Sequence, residues 1–187
     1  MTRRFVAVGL PDSVRSDLRD AVEERAARFS GLSRTWPAGW HVTLAFLGDV
    51  ADDHAGPVAD AVRVALAEHP LPDQLVVGGA GSFGDRVLWC RVDDEPSGAL
   101  APLAGAVRSR CARLGIDVDD APFRAHVTIA RARRNRPVRD ADVDALAGAI
   151  EAVPSARRRW RPAGLEVMAS QLGDGPARYV AESSVPA

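Results

Sequence analysis

Apolar and polar positions follow two different periods along the chain, so the pattern predicts a mixture of strands and helices. The apolar run at residues 3–10 has the length of a buried strand, and Pro11-Asp12-Ser13 then supplies residue types that favour a helix start. Similar runs predict strands over residues 3–10, 41–47, 74–77, 86–92, 126–130, 164–169 and 178–182. Apolar residues recur at helical spacing in four segments that begin near Val14, Val58, Leu100 and Val143.

The order of these elements predicts an α+β fold with largely antiparallel sheets. Several predicted strands follow one another as hairpin-like pairs, while others are separated by a helix. The first apolar stripe runs from Val14 to Phe29, and Gly115 is expected to end the third helix. The glycine-rich residues 78–84 predict turns and bends in the sheet.

Composition indicates a globular protein. The chain has 187 residues, 47% of them hydrophobic and 26% charged, which predicts a single domain over residues 1–187. The apolar run near the N-terminus is too short for a secretion signal or a membrane span, so we expect a cytoplasmic protein. The net charge is −1 and all 24 basic residues are arginine, so any anion site uses arginine or neutral donors.

One motif occurs twice. The sequence His41-Val42-Thr43-Leu44-Ala45 returns as His126-Val127-Thr128-Ile129-Ala130, and each copy opens a predicted strand. With four histidines and four threonines in the chain, chance gives only about 0.1 His-x-Thr matches, so the repeat demands a cause.

Strand geometry gives the repeat a chemical meaning. Side chains alternate along a strand, so His41 and Thr43 share one face, as do His126 and Thr128. The same alternation predicts that Val42, Leu44 and Phe46 point to the core, as do Val127 and Ile129. If the two strands are related by an internal pseudo-twofold, two imidazoles and two hydroxyls face one cleft.

Two histidines in one cleft suit acid–base chemistry on a phosphodiester. Imidazole titrates near neutrality, so one ring can accept a proton while the other donates one. Hydroxyl and guanidinium groups bind phosphoryl oxygens. A metal site that uses His41 and His126 is a weaker alternative, because no carboxylate or cysteine stands at a recognisable ligand spacing. A structural role in core strands is the remaining alternative.

The doubled motif resembles that of the 2H phosphoesterases, which are named for two His-x-Thr motifs. More closely, the chain is similar to the bacterial and archaeal RNA 2′,3′-cyclic phosphodiesterases, also called 2′-5′ RNA ligases. The similarity extends over nearly the whole chain and rests on residues 4–11, 41–48, 87–89, 122–131, 170–172 and 178–179.

The resemblance implies a bilobal fold, in which two pseudo-twofold-related lobes enclose a central cleft and carry their helices on the outside. It implies hydrolysis of RNA 2′,3′-cyclic phosphate ends to 2′-phosphomonoesters without a metal or other cofactor. By motif position, His41 would be the proton donor and His126 the proton acceptor. Thr43, Thr128 and Arg131 would bind the phosphate.

The chain departs from the family pattern at the loop 33–40, where Trp40 stands in place of a common leucine. Strict alternation also places Arg131 opposite His126, so the strand must end or bulge for Arg131 to reach the cleft. Phe46 and Phe123 flank the motifs. For each residue two roles stay open: the ring packs in the core, or it stacks on a base of the substrate.

Two arginine runs carry alternative interpretations. The run after the second motif contains Arg131, Arg133, Arg134, Arg136 and Arg139 and is either an RNA-backbone track or a solvated loop. The run Arg157, Arg158, Arg159 and Arg161 surrounds Trp160, and we favour an exposed turn over base stacking there.

The expected partner is an RNA with a 2′,3′-cyclic phosphate end or a small cyclic nucleotide, bound by a monomer. Two alternative functions stay open at this point. One is 2′-5′ RNA ligation or 2′-5′ oligonucleotide cleavage, for which the same four motif residues would serve. The other is a non-catalytic RNA-binding or nucleotide-binding protein, for which two proton carriers would be unnecessary.

Overall fold

The computed structural model describes residues 1–95, 97–171 and 178–187. Leu172, part of one segment that carries the family resemblance, lies outside these residues. The helices are α1 (Asp12–Glu23), α2 (Ala55–Glu68), α3 (Leu100–Arg113) and α4 (Asp140–Ala152). The strands are β1 (Thr2–Gly9), β2 (Ser33–Arg34), β3 (His41–Val50), β4 (Gln74–Phe83), β5 (Val87–Glu95), β6 (His126–Arg131), β7 (Arg159–Trp160), β8 (Gly164–Gln171) and β9 (Arg178–Pro186).

These strands form two antiparallel sheets, which confirms the predicted α+β class. One sheet has the strand order β3-β1-β8-β9, and the other has the order β2-β6-β5-β4-β7. The two motif strands, β3 and β6, lie in different sheets and approach each other between the lobes. The expected bilobal arrangement with two related halves is therefore confirmed.

The two halves repeat one local unit. β1 is followed by α1 and then by β3, which returns antiparallel to β1. β5 is followed by α3 and then by β6, which returns antiparallel to β5. Each motif therefore begins the strand that returns beside the first strand of its unit, which relates the motifs by the pseudo-twofold axis.

The end of the first helix and two short strands differ from the predicted pattern. α1 ends at Glu23, because the Arg25 amide bonds the Val22 carbonyl only three residues back. Phe29 therefore lies in a separate 3₁₀ turn, although it is still buried. The two-residue strands β2 and β7 carry too few residues to show a period, and the pattern did not predict them.

The glycine-rich segment is strand as far as Phe83, and only Gly84 lies in a turn. β4 continues to Phe83, and its pairing with β5 shifts register between Val77 and Ala80. A Cβ at Gly81 would collide with the ring of Trp89 on β5. The glycines therefore permit close packing of β4 on β5, which a turn interpretation does not capture.

A common core lies under both sheets. One cluster of buried side chains joins α1, α2, α3 and α4 to β1, β3, β5, β6 and β8. Cys90 and Cys111 are free thiols within it. Over the described residues, every helix falls short of the length and apolar character that a membrane crossing requires.

Candidate active site

β3 and β6 each deliver a histidine and a threonine to the wall of one cleft. His41, Thr43, His126 and Thr128 all line this cleft, which lies between the two sheets. In both strands the histidine and threonine are partly exposed, while the valine between them is buried. The sequence motif thus places two imidazoles and two hydroxyls at one site.

A backbone carbonyl orients each imidazole in the same way. His41 Nδ1 lies 2.7 Å from the Gly39 carbonyl, and His126 Nδ1 lies 2.7 Å from the Arg124 carbonyl. A carbonyl oxygen only accepts a hydrogen bond, so Nδ1 is the protonated nitrogen of each neutral ring. Both Nε2 atoms are therefore left to accept or donate a proton.

Burial favours the neutral form of both rings. It lowers the pKa of His41 to about 4, against the Gly39 hydrogen bond, which acts in the opposite direction. The positive charges of His126 and Arg131 lower the His41 pKa further. Burial and the charge of Arg131 also lower the pKa of His126, again against its backbone hydrogen bond.

Aromatic rings pack against both imidazoles. Phe5 stacks on His41 with ring centres 4.6 Å apart, and Tyr179 meets His41 edge-on at 5.2 Å. Phe83 meets His126 edge-on at 4.8 Å. These contacts desolvate the rings and restrict their rotation, so each Nε2 has a defined direction.

Each motif strand contains a bulge at the same place. Thr43 pairs with Ala7 and Ala45 with Val6, which leaves Leu44 unpaired. On β6, Thr128 and Ala130 pair with neighbouring residues of β5, which leaves Ile129 unpaired. An extra residue in a strand moves every side chain that follows it to the opposite face of the sheet.

The bulges bring Phe46 and Arg131 to the cleft. Strict alternation had predicted Phe46 on the core side with Val42 and Leu44, and this prediction is wrong. Phe46 is 50% exposed and lines the cleft because the bulge precedes it. Arg131 reaches the same cleft for the same reason, as its expected role required.

The cleft continues beyond the histidines toward Phe123. Thr43, Phe46, His126, Thr128 and Arg131 also line this second part, together with Phe83, Arg108 and Phe123. Phe123 is half-buried against the core, and the Arg108 guanidinium lies 6.0 Å from its ring centre. Phe123 therefore packs partly against the core and also lines the cleft, and base stacking on it stays a prediction.

The loop 33–40 closes one side of the cleft. Its strand β2 pairs with β6, and Trp40 is buried with its indole N–H donated to Thr35. Trp36 is half-exposed on the cleft wall, and the Arg178 guanidinium lies 5.8 Å from its ring centre. The motif spacing did not reveal Thr35, Trp36 or Arg108; the unusual Trp40 was the one available signal in this loop.

Each arginine run contains a member that binds within the fold. Arg136 forms an ion pair with the buried Asp142 and also donates to the Pro137 carbonyl. Trp160 is buried in β7, so both base stacking and the favoured exposed turn are wrong for this residue. Arg158 donates to two backbone carbonyls, whereas Arg133 and Arg134 are exposed beside the second motif.

The described residues bring no group of three His, Cys, Asp or Glu side chains to metal-binding positions. The donors that line the cleft include imidazoles, hydroxyls and guanidinium groups. This set binds an anion through hydrogen bonds and charge, and it offers two titratable nitrogens for proton transfer.

Comparisons with known proteins identify relatives of this chain. Residues 10–173 match the sequence profile of the 2′-5′ RNA ligase superfamily. A Geobacillus stearothermophilus protein named RNA 2′,3′-cyclic phosphodiesterase is 37% identical over 68% of this chain, and the match spans 41% of that protein's length. An Archaeoglobus fulgidus protein of the same name is 31% identical over 72% of this chain and 75% of its own.

A solved structure from Thermus thermophilus has the same fold. It superposes with a TM-score of 0.73 at 26% identity and covers 98% of this chain and 97% of its own. The profile match extends over most of the chain and includes both motifs. The resemblance to the 2H phosphoesterases is confirmed, and the chain belongs to the 2′-5′ RNA ligase superfamily, a superfamily of enzymes.

Proposed function

We propose that this protein hydrolyses RNA 2′,3′-cyclic phosphate ends to 2′-phosphomonoesters by acid–base catalysis with two histidines and no metal. The observation that carries the proposal is the matched pair of imidazoles, each with Nδ1 bonded to a carbonyl two residues upstream. That arrangement leaves Nε2 of each ring for proton transfer. The names of two curated relatives support the choice of substrate.

In the proposed reaction, water attacks the phosphorus in line with the bond to the ribose 3′ oxygen. His126 Nε2 accepts a proton from the water as the new P–O bond forms. His41 Nε2 donates a proton to the 3′ oxygen as the old P–O bond breaks. The cyclic diester thus becomes a 2′-phosphomonoester and a free 3′ hydroxyl.

The proposed donor role requires a protonated His41, although burial lowers its pKa to about 4 in the free protein. A bound phosphodiester brings a negative charge into the cleft, which favours the protonated form of a neighbouring imidazole. The substrate therefore opposes the burial penalty, and His41 gains its proton most readily in the complex. His126, whose pKa is also lowered, is available as a neutral base.

Three side chains are proposed to bind the phosphoryl oxygens. Thr43 and Thr128 stand beside their histidines on the same strand face, and Arg131 follows the second bulge onto that face. Hydroxyl and guanidinium donors fixed by strands stabilise charge as it moves in the transition state. Phe46 and Phe123 lie beyond them and are proposed to stack on the base.

We further propose that residues 1–187 act as one catalytic domain and as a monomer. Each half of the chain contributes one motif to the cleft, and one core joins the two halves. A single chain thereby supplies all the groups that the proposed reaction needs.

The proposal is tested with a short RNA that ends in a 2′,3′-cyclic phosphate, incubated with the protein in excess EDTA. His41→Ala and His126→Ala should each lower turnover by about 10² to 10⁴-fold, while His69→Ala, outside the cleft, should not. The expected product carries a 2′-phosphate. Bound RNA without turnover would instead favour a binding protein, and cleavage of a 2′-5′ linkage alone would favour the alternative diester.

A further inference from the structure

A segment distant in sequence holds the bulge on β6. The Thr35 hydroxyl lies 2.7 Å from the Thr128 carbonyl oxygen and 2.9 Å from that of Ile129. The Thr35 amide donates to the Ile129 carbonyl at 2.9 Å, and Trp40 donates its indole N–H to the Thr35 hydroxyl at 2.8 Å. Thr35 thus contacts both residues at the point where β6 departs from regular pairing.

This contact depends on the bulge itself. In a regular strand, successive carbonyls point to opposite edges, so one side chain cannot approach two consecutive carbonyl oxygens. At Thr128 and Ile129 both oxygens are within reach of a single hydroxyl because the bulge turns them to the same edge. Thr35 therefore stabilises the bulged form of β6 over the regular form.

Arg108 holds the bulge on β3 from the other half of the chain. Its Nε donates to the carbonyl of Leu44, the unpaired residue of that bulge, at 3.2 Å. Its Nη1 donates to the Ala121 carbonyl at 2.7 Å, and Ala121 lies just before the segment that leads to His126. One guanidinium thereby links the bulge of the first motif to the approach of the second.

We propose that Thr35 and Arg108 are positioning residues, which fix the two bulges so that Arg131 and Phe46 face the cleft. Without its bulge, each strand would turn its sixth motif residue to the opposite face. Thr35 acts through Arg131, and Arg108 acts through Phe46. The roles assigned to these two cleft residues rest on the proposed function.

The first experiment measures binding of inorganic phosphate, which does not depend on the proposed reaction. Thr35→Val removes the hydroxyl at nearly constant shape and should weaken phosphate binding by about tenfold, within the range that a small displacement of a binding group can cause. Thr35→Ser keeps the hydroxyl and should bind phosphate as the wild type does. Thr2→Val is the matched control, because the Thr2 hydroxyl bonds an exposed aspartate outside the cleft.

A double-mutant cycle separates positioning from general stability. If Thr35 acts through Arg131, Thr35→Val should cause no further loss in an Arg131→Ala protein. The proposal would be overturned if the double variant lost phosphate affinity by the product of the two single losses. It would also be overturned if Thr35→Ser had the melting temperature of the wild type but bound phosphate as poorly as Thr35→Val. Thr35→Ser retains the hydroxyl within reach of both carbonyls and keeps this test decisive should Thr35→Val fail to fold.

The second experiment applies the same cycle to β3 with the cyclic-phosphate RNA as substrate. Arg108→Gln should raise KM by about the same factor as Phe46→Ala, and the double variant should resemble either single one. Arg110→Gln, on the same helix and paired with Glu68 at the surface, is the control. If the increase in KM of the double variant equals the product of the two single increases, the Arg108 role is refuted. Absence of turnover in the wild type refutes the proposed function instead, and the phosphate result then decides the role of Thr35.

Discussion

Burial of the His41 imidazole should make the folded protein less stable at acid pH. Its pKa falls from the ordinary value of 6.5 to about 4 on folding, so at intermediate pH the unfolded chain binds a proton that the folded protein does not. The free energy of unfolding should therefore decrease as the pH falls from 6.5 and level off near the folded pKa of about 4. The shift corresponds to about 2 kcal/mol of stability lost between about pH 7 and about pH 5.

The test replaces His41 with asparagine, whose amide can still donate to the Gly39 carbonyl but does not titrate. Urea unfolding of both proteins at several pH values between neutral and about pH 5 gives the two stability curves. The wild-type curve should fall more steeply, and the gap between the curves should change by about 2 kcal/mol over this range.

Thr43→Val supplies the control, since it alters the same cleft wall without removing a titratable group. Its stability should differ from that of the wild type by an amount that does not depend on pH. Parallel curves for the wild type and His41→Asn would show that folding does not lower the His41 pKa. The reason given for a substrate-induced proton at His41 would then fail.

Three further predictions follow from named contacts. Arg4→Met should lower the free energy of unfolding by about 3 kcal/mol, because the buried guanidinium joins Glu182 to the end of β3; exposed Arg3→Met should change it by less than about 0.5 kcal/mol in the same urea titration. With a 3′-deoxynucleoside 2′-(p-nitrophenyl phosphate), the p-nitrophenolate takes the place of the departing 3′ oxygen and needs no proton. His41→Ala should then keep most of its activity and His126→Ala should not; the reverse order would exchange their roles. Phe46→Ala should raise KM for a cyclic nucleotide with kcat nearly unchanged, as steady-state kinetics would measure, because a stacking contact is made equally in the bound and transition states.

The repeat could be predicted from the sequence because a strand period and two rare residue types are local properties. His41 and Thr43 needed only alternation to be placed together, and so did His126 and Thr128. The fold class followed from element order in the same way. These inferences depend on residues close in sequence, where the backbone alone sets the geometry.

The expected role of Arg131 called for an end or a bulge in its strand, but the bulge on β3 and the true position of Phe46 were beyond local reasoning. A bulge at Leu44 depends on what β1 pairs with and on a guanidinium from α3. The two-residue strand β2 likewise exists because Thr35 and its neighbours pair with β6. Periodicity contains no information about such partners, so it fails where tertiary contacts decide the register.

The sixth motif position explains how a nearly symmetric scaffold can carry a directional reaction. The burial pattern of β3 from His41 to Phe46 matches that of β6 from His126 to Arg131 residue for residue. The bulges therefore belong to the repeat, and each turns its sixth residue into the cleft. One half presents an aromatic ring there and the other a guanidinium. Under the proposed function, one half therefore contacts the base and the other the phosphate. Exchange of these two residues should accordingly disrupt binding without disturbing the fold that both halves share.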